Sequence, residues 1–187
     1  VYFFALGTIL GQAKYKGFSS ISVSQNSNYY IYQSSRNQVF IASFDGLNIF
    51  DGQETRTYRN LKDHMAGNKM SSPFFEDSSG IIWFTTTEAI HYYNPTTDSI
   101  DFLFMVSSDG DTLRTDHAAF HLSGNMLFLR ADKEVFLFDV ISRTIKTIYP
   151  LDFSVFHIFT VIEDSNNTIL FGANERGYAA YALGSGP

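Results

Sequence analysis

Four acidic residues recur at nearly constant spacing in this chain. Asp45, Glu88, Asp132 and Glu175 are separated by 43, 44 and 43 residues. Each lies in a short turn between two apolar runs. If those turns converge on one face, the carboxylates form a partial acidic rim. Such a rim can accept hydrogen bonds from sugar hydroxyls or attract a cation. Turns also select acids for a plainer reason, since Asp bonds its own backbone and stays solvated. Both readings stand on the spacing alone. Lys133 and Arg176 sit beside two of the acids and would blunt their field.

Other chemistry is sparse. The five histidines are His64, His91, His117, His121 and His157. His117 and His121 would share one face of a helix, but their surroundings alternate as a strand does, so the spacing makes no metal pair. There is no G-x-S-x-G, no H-E-x-x-H and no phosphate-cradling glycine loop. The expectation is a chain without a catalytic set, a metal site or a cofactor. The absence of Cys excludes disulfides and thiolate metal sites and leaves the redox compartment unread.

The acids must be positioned by the elements around them. The stretch 74–94 reads FFEDSSGIIWFTTTEAIHYYN. The polar turn Glu76-Asp77-Ser78-Ser79-Gly80 leads into a short buried strand, Ile81 to Thr85. A second turn, Thr86 to Ala89, leads into a third strand, Ile90 to Tyr93. The chain writes this pattern four times. Phe40 falls 43 residues before Trp83, and Asp51 falls 43 before Asn94. Ser123-Gly124-Asn125, Met126 to Leu129 and Val135 to Asp139 repeat it downstream. Ile162 to Asn167 then echoes Phe75 to Gly80, with Leu170 at the Trp83 position and Tyr178 to Tyr181 closing the unit.

Self-similarity at about 40–50 residues, made of short strands and turns, is the sequence signature of propeller blades. One small twisted sheet cannot bury both faces alone, and stacking sheets around an axis buries them. The expected fold is all-β, a β-propeller fragment of about four blades, each a four-stranded antiparallel sheet, in an incomplete ring. The blades are expected near residues 28–60, 73–106, 117–149 and 157–187, the last ending before an outer strand. Residues 60–72 read as a crossing loop with room for one helical turn. The Glu76 to Gly80 and Glu163 to Asn167 turns, at the opposite end from the acids, read as structural.

Composition agrees. Of 187 residues, 19 are Phe and 11 Tyr, which suits half-buried pleated surfaces. The net charge of −6, with no basic patch, argues against nucleic-acid binding by this segment. Residues 1–13 open with an apolar run too short to span a bilayer as a helix. Gly11-Gln12-Ala13 then places small residues at −3 and −1 of a cut after Ala13. This reads as the end of a secretory signal peptide, a buried first strand or core helix being the plainer reading. Residues 14–27 are a polar lead-in, in which Phe18 to Ser24 alternates. The missing initiator Met suggests a piece of a longer reading frame.

With the repeat laid out, EDSSGIIWFTTTEAIHYYNP (Glu76 to Pro95) resembles the two-component regulator propeller repeat. FIASFDGLNIFDG (Phe40 to Gly52) is similar to its second half, including Asp45-Gly46-Leu47. The resemblance covers Asn28 to Tyr181, and is closest in the first two repeats. Phe40, Phe128 and Leu170 replace the family's Trp, and Ala89 replaces the Gly before the third strand. The resemblance implies the extracytoplasmic sensing part of a bacterial histidine kinase or transcriptional regulator, on the periplasmic face of the inner membrane. It implies a small-molecule ligand, carbohydrate among the choices, a homodimer in the whole protein, and membrane contact only through regions outside these residues. A secreted propeller lyase or glycan hydrolase and a protein-interaction scaffold are the alternatives.

Overall fold

The computed structural model describes residues 23–24, 27–106, 110–112, 114, 119–122, 125–131, 134–150, 158–163, 168–173 and 177–182. The expected signal-peptide remnant lies outside the described residues. So does most of the lead-in.

Among the described residues fifteen strands form four antiparallel sheets, each with its strands in sequence order along the sheet. The first holds β1 (Asn28–Gln33), β2 (Val39–Ser43), β3 (Gly46–Phe50) and β4 (Thr55–Tyr58). The second holds β5 (Phe75–Glu76), β6 (Ile82–Thr85), β7 (Ile90–Asn94) and β8 (Ser99–Leu103). The third holds β9 (Ala119–Leu122), β10 (Met126–Ala131), β11 (Glu134–Asp139) and β12 (Thr144–Pro150). The fourth has three described strands, β13 (Ile158–Glu163), β14 (Thr168–Ala173) and β15 (Gly177–Ala182). Sheets of this size joined end to end are propeller blades.

The register repeats with the sequence. Phe40 pairs with Tyr32 on one side and Ile49 on the other, and Trp83 pairs with Phe75 and Tyr92. Phe128 lies between Phe120 and Leu137, and Leu170 between Ile162 and Ala180. The four residues written at one position of the repeat thus hold one position in the four second strands. A one-residue slip would turn each to the other face.

Phe40 and Trp83 fill the space between blades. Phe40, Leu47 and Ile49 of the first blade pack with Phe74, Ile82, Phe84, Tyr93 and Ile100 of the second. Trp83, Ile90 and Met105 pack with Leu127, Leu129, Phe136 and Phe138 of the third. Ring contacts cross both seams, Phe40 on Phe74 at 5.7 Å and Trp83 on Phe138 at 5.8 Å. Each such pair adds about 0.5–1.5 kcal/mol beyond the area it buries. β13 lies beside β9, so the fourth sheet follows the third in the same order.

Polar groups bind the outer edges of the first two seams. Asp98 and Arg143 occupy equivalent places in the turns before β8 and β12, both with left-handed φ, 51° and 55°. Each reaches back to the preceding blade. Asp98 accepts from Tyr93 Oη at 2.8 Å and ion-pairs with Arg56 of β4. The Arg143 guanidinium lies 4.1 Å over the Tyr92 ring and donates to its hydroxyl at 2.9 Å.

Residues 60–72 cross from the first blade to the second. Asn60 caps a single 3-10 turn, Leu61–Asp63, its side chain accepting from the Lys62 amide at 2.9 Å. The loop then runs along the end of β6. The Ser71 amide donates to Thr85 O at 2.9 Å, and the Thr85 amide donates to Ser72 Oγ at 2.8 Å. The short inner strand β5 is thereby extended by loop contacts.

Candidate functional site

Asp45 lies in the turn between β2 and β3, and Glu88 in the turn between β6 and β7. Both flank the crossing loop 60–72. Asp45 accepts from Asn68 Nδ2 at 3.3 Å and pairs with Arg59 Nε at 3.1 Å. Glu88 lies against Gly67, where an added Cβ would meet its Cδ at 3.2 Å. Gly67 has a φ of +74°, a region that glycine favours, and a Cβ there would crowd Glu88 and Thr86. Adjacent loop residues therefore touch both acids. Asp132 and Glu175, with Lys133 and Arg176 beside them, lie outside the described residues.

The loop is held from below by His91. Its imidazole is fully enclosed. Nε2 accepts from the Ala66 amide at 3.0 Å, which puts the ring proton on Nδ1, donating to Ala89 O at 3.2 Å. The ring stacks on Phe84 at 5.1 Å and 13° and tilts against Phe102. Burial pushes its pKa down to about 4, against the smaller upward pull of the Ala89 carbonyl and the Asp101 charge. Thr86 Oγ1 donates to Ala66 O at 2.5 Å. The Ala66 peptide is thus bonded on both sides, one residue before Gly67.

Sequence reading did not single out Arg59, Asn68 or the supporting role of His91. Arg59 and Asn68 sit in a polar stretch with no periodicity, and only the path of the loop brings them to Asp45. The apolar neighbours of His91 in Ile90 to Tyr93 are its one visible signal. Of the other histidines, His64 ends the 3-10 turn with φ 57°, and His121 lies on β9. His117 and His157 lie outside the described residues. Among the described residues no three His, Asp or Glu side chains cluster as metal ligands.

A groove of about 770 Å³ opens between β4 and β8, beside the same loop. Arg56, Tyr58, Lys62, Asp63, His64, Asp98 and Asp101 are among its lining residues. Burial and then the Asp98 charge push the Tyr58 phenol up to about 12, the opposing pull of Arg56 notwithstanding, so it lines the groove as a neutral hydroxyl. The groove lies along the outer strands.

Among the described residues no helix is long and apolar enough to cross a membrane. No family model matches the chain, and no curated protein matches it. Solved structures do. The extracellular domain of BT3049, a candidate hybrid two-component system of B. thetaiotaomicron, is 19% identical with a TM-score of 0.68, over 87% of this chain and 24% of that one. The extracellular domain of BT4673, from the same organism, is 14% identical at a TM-score of 0.68, over 86% of this chain and 21% of that one. The β-propeller domain of Cps50 from Myceliophteria_thermophila is 12% identical at 0.59, over 83% and 54%. This chain spans about a quarter or less of the length of the two extracellular domains. At these identities the likeness is one of fold, and the fold is a run of β-propeller blades.

Proposed function

We propose that this chain is the ligand-sensing, extracytoplasmic propeller part of a bacterial two-component signalling protein. The reading rests on one conjunction. The stretch Glu76 to Pro95 resembles the repeat of such sensors, and the fold built from it is similar to extracellular domains of candidate two-component systems. The protein is exported and held at the periplasmic face of the inner membrane by regions beyond these residues. Ligand binding biases the arrangement of two sensor copies, and that bias passes through the membrane to a kinase.

The binding face in this reading is the one that carries Asp45 and Glu88, with Asp132 and Glu175 at the corresponding turns. Carboxylates set among Asn and Thr side chains suit the hydroxyls of a carbohydrate fragment, each acid oxygen accepting from one or two of them. A glycan array probed with the full-length protein, followed by calorimetry on its hits, tests this. Asp45→Asn combined with Glu88→Gln is expected to weaken binding roughly tenfold or more, the loss of one to two charge-assisted hydrogen bonds. Unchanged affinity in a folded double variant removes these acids from the site.

A further inference from the structure

Three observations meet at the crossing loop. It contacts Asp45 through Asn68, and Glu88 through Gly67. It is bonded at Ala66, one residue earlier, to a fully enclosed histidine. That histidine accepts with Nε2, so it can hold the loop only while that nitrogen is unprotonated. A proton on Nε2 would face the Ala66 N–H, donor against donor, inside an apolar pocket made by Phe84 and Phe102.

We propose that His91 is a positioning residue for the Asp45–Glu88 face, and that its protonation releases the loop from that face. The positioning role rests on the reading of that face as the ligand site; the release of the loop does not. His91 touches neither acid. It acts through Ala66, and the two residues that follow, Gly67 and Asn68, carry the effect to Glu88 and to Asp45.

The electrostatic surroundings make this an acid-operated device. Phe84 of β6 and Phe102 of β8 present rings to the imidazole and offer nothing to a cation's hydrogen-bonding protons. The turn before β7 offers the Ala89 carbonyl, which Nδ1–H already uses. Asp101 of β8 is the one charged group acting on the ring among the described residues, and it favours the imidazolium. Its carboxylate is engaged by the Tyr92 hydroxyl at 3.1 Å. Of the loop's own titratable side chains, Lys62, Asp63 and His64 line the groove between β4 and β8, and Lys69, after Asn68, is exposed. Glu88 lies against Gly67, the residue after Ala66. Burial therefore dominates, and protonation is coupled to opening. As the loop opens, water reaches the ring and the histidine regains its ordinary basicity.

Hydrogen–deuterium exchange on the full chain tests this without any ligand. The rate at the Ala66 amide, corrected for intrinsic exchange, is followed from pH 7 to pH 5. Linkage between an open-state pKa of 6.5 and a closed-state value of about 4 predicts a loss of protection of about twentyfold over that range. Amides in β2 and β3 report global opening, whose own linkage to His91 lowers their protection in parallel. Loop release therefore requires the Ala66 amide to exchange faster than they do at every pH, and equal rates would mean that only the whole fold opens. In His91→Gln, whose amide oxygen can still accept but does not titrate, the Ala66 amide should show no such pH dependence. If wild-type Ala66 protection is flat across the range, or falls equally in His91→Gln, loop release is wrong. A glycan found on the array adds the second arm. Its affinity should fall with pH in the wild type and not in His91→Gln. Loop release with unchanged glycan affinity overturns the positioning role. Loop release in a protein whose binding ignores Asp45→Asn with Glu88→Gln instead sinks the assignment of the face as the ligand site and leaves the latch.

Discussion

The indole of Trp83 donates through Nε1 to the Asp77 carboxylate at 2.8 Å, and both residues are buried. The other carboxylate oxygen accepts from the amides of Ser79 at 2.8 Å and Ile81 at 3.0 Å. A carboxylate is tolerated in such a place only when its lone pairs are met. One side chain thus shapes the turn before β6 and orients the ring that fills the seam to the third blade. In the first blade Ser34 and Phe40 hold these two positions. Ser34 Oγ accepts from the Gln38 amide at 3.2 Å, and the backbone turn is the same. A ring without an N–H needs no carboxylate beneath it.

The pairing of Asp with Trp and of Ser with Phe predicts coupling. Trp83→Phe strands one oxygen of a buried anion and is expected to cost about 2–3 kcal/mol. Asp77→Ser leaves the indole N–H without its acceptor at about 1–3 kcal/mol. The double variant restores the combination of the first blade. It should therefore cost clearly less than the two single variants added together, a non-additivity of about 1 kcal/mol or more. Trp83→Ala, which empties the seam, should cost about 3–5 kcal/mol. Urea unfolding of the wild type and the four variants measures all of these, and strict additivity of the first two would refute the coupling.

The blades were legible because their information is local. The turn Glu76 to Gly80 and the strand Ile81 to Thr85 announce themselves through Gly, Asp and Ser beside β-branched and aromatic residues. The alignment of Phe40, Trp83, Phe128 and Leu170, read from spacing, reappears as strand register. The site was legible only in part. Asp45 and Glu88 were singled out by spacing as candidates only, and both lie beside one loop. That Arg59 would neutralise part of Asp45 did not show, because the pair forms through a loop whose course follows no period. The resemblance of Asp98 to Arg143 was hidden for a different reason. What repeats there is a left-handed backbone in a turn, and opposite charges serve the same bridging purpose in the two blades.

Gly46 carries a second prediction, set by backbone rather than by packing. Its φ is +121°, and a Cβ built on it would stand 2.2 Å from the Tyr58 carbonyl oxygen. Ala89, at the equivalent place in the second blade, has no such φ. Gly46→Ala must either move β4 away from β3 or abandon the turn, and is expected to cost about 3 kcal/mol or more. Gly52 is the internal comparison, with φ +103° and nothing within 4 Å of a new Cβ. Gly52→Ala should show only the conformational penalty, about 1–2 kcal/mol. Equal losses of thermal stability in the two variants would mean that the approach of Tyr58 does not matter.

The last prediction concerns acid and the whole fold. In the folded chain His91 is held neutral by burial, with its pKa near 4, against about 6.5 in an unfolded chain. A depressed histidine stabilises the fold fully above the unfolded value, and that contribution is lost as pH falls from about 6.5 to about 4. Fully developed, the loss is roughly 3 kcal/mol, and at pH 5 about 2 kcal/mol. Carboxylates enter lower on the scale. The Asp51 and Asp139 carboxyls are held below their usual range, chiefly by the backbone amides of Glu54 and Ser142 respectively. Burial raises Glu76, but hydrogen bonds from Ser35 and Tyr32 and the Arg36 charge outweigh it and keep its pKa low. Each of these contributes above its unfolded pKa, near 4, and fails below it, so the two windows separate. Urea midpoints at pH 7, 6 and 5 should decline in the wild type and stay nearly level in His91→Gln, with the two curves falling together only below pH 4. A wild-type midpoint that is level between pH 7 and 5 would show that the buried imidazole accepts its proton without strain, and would assign acid sensitivity to the carboxylates alone.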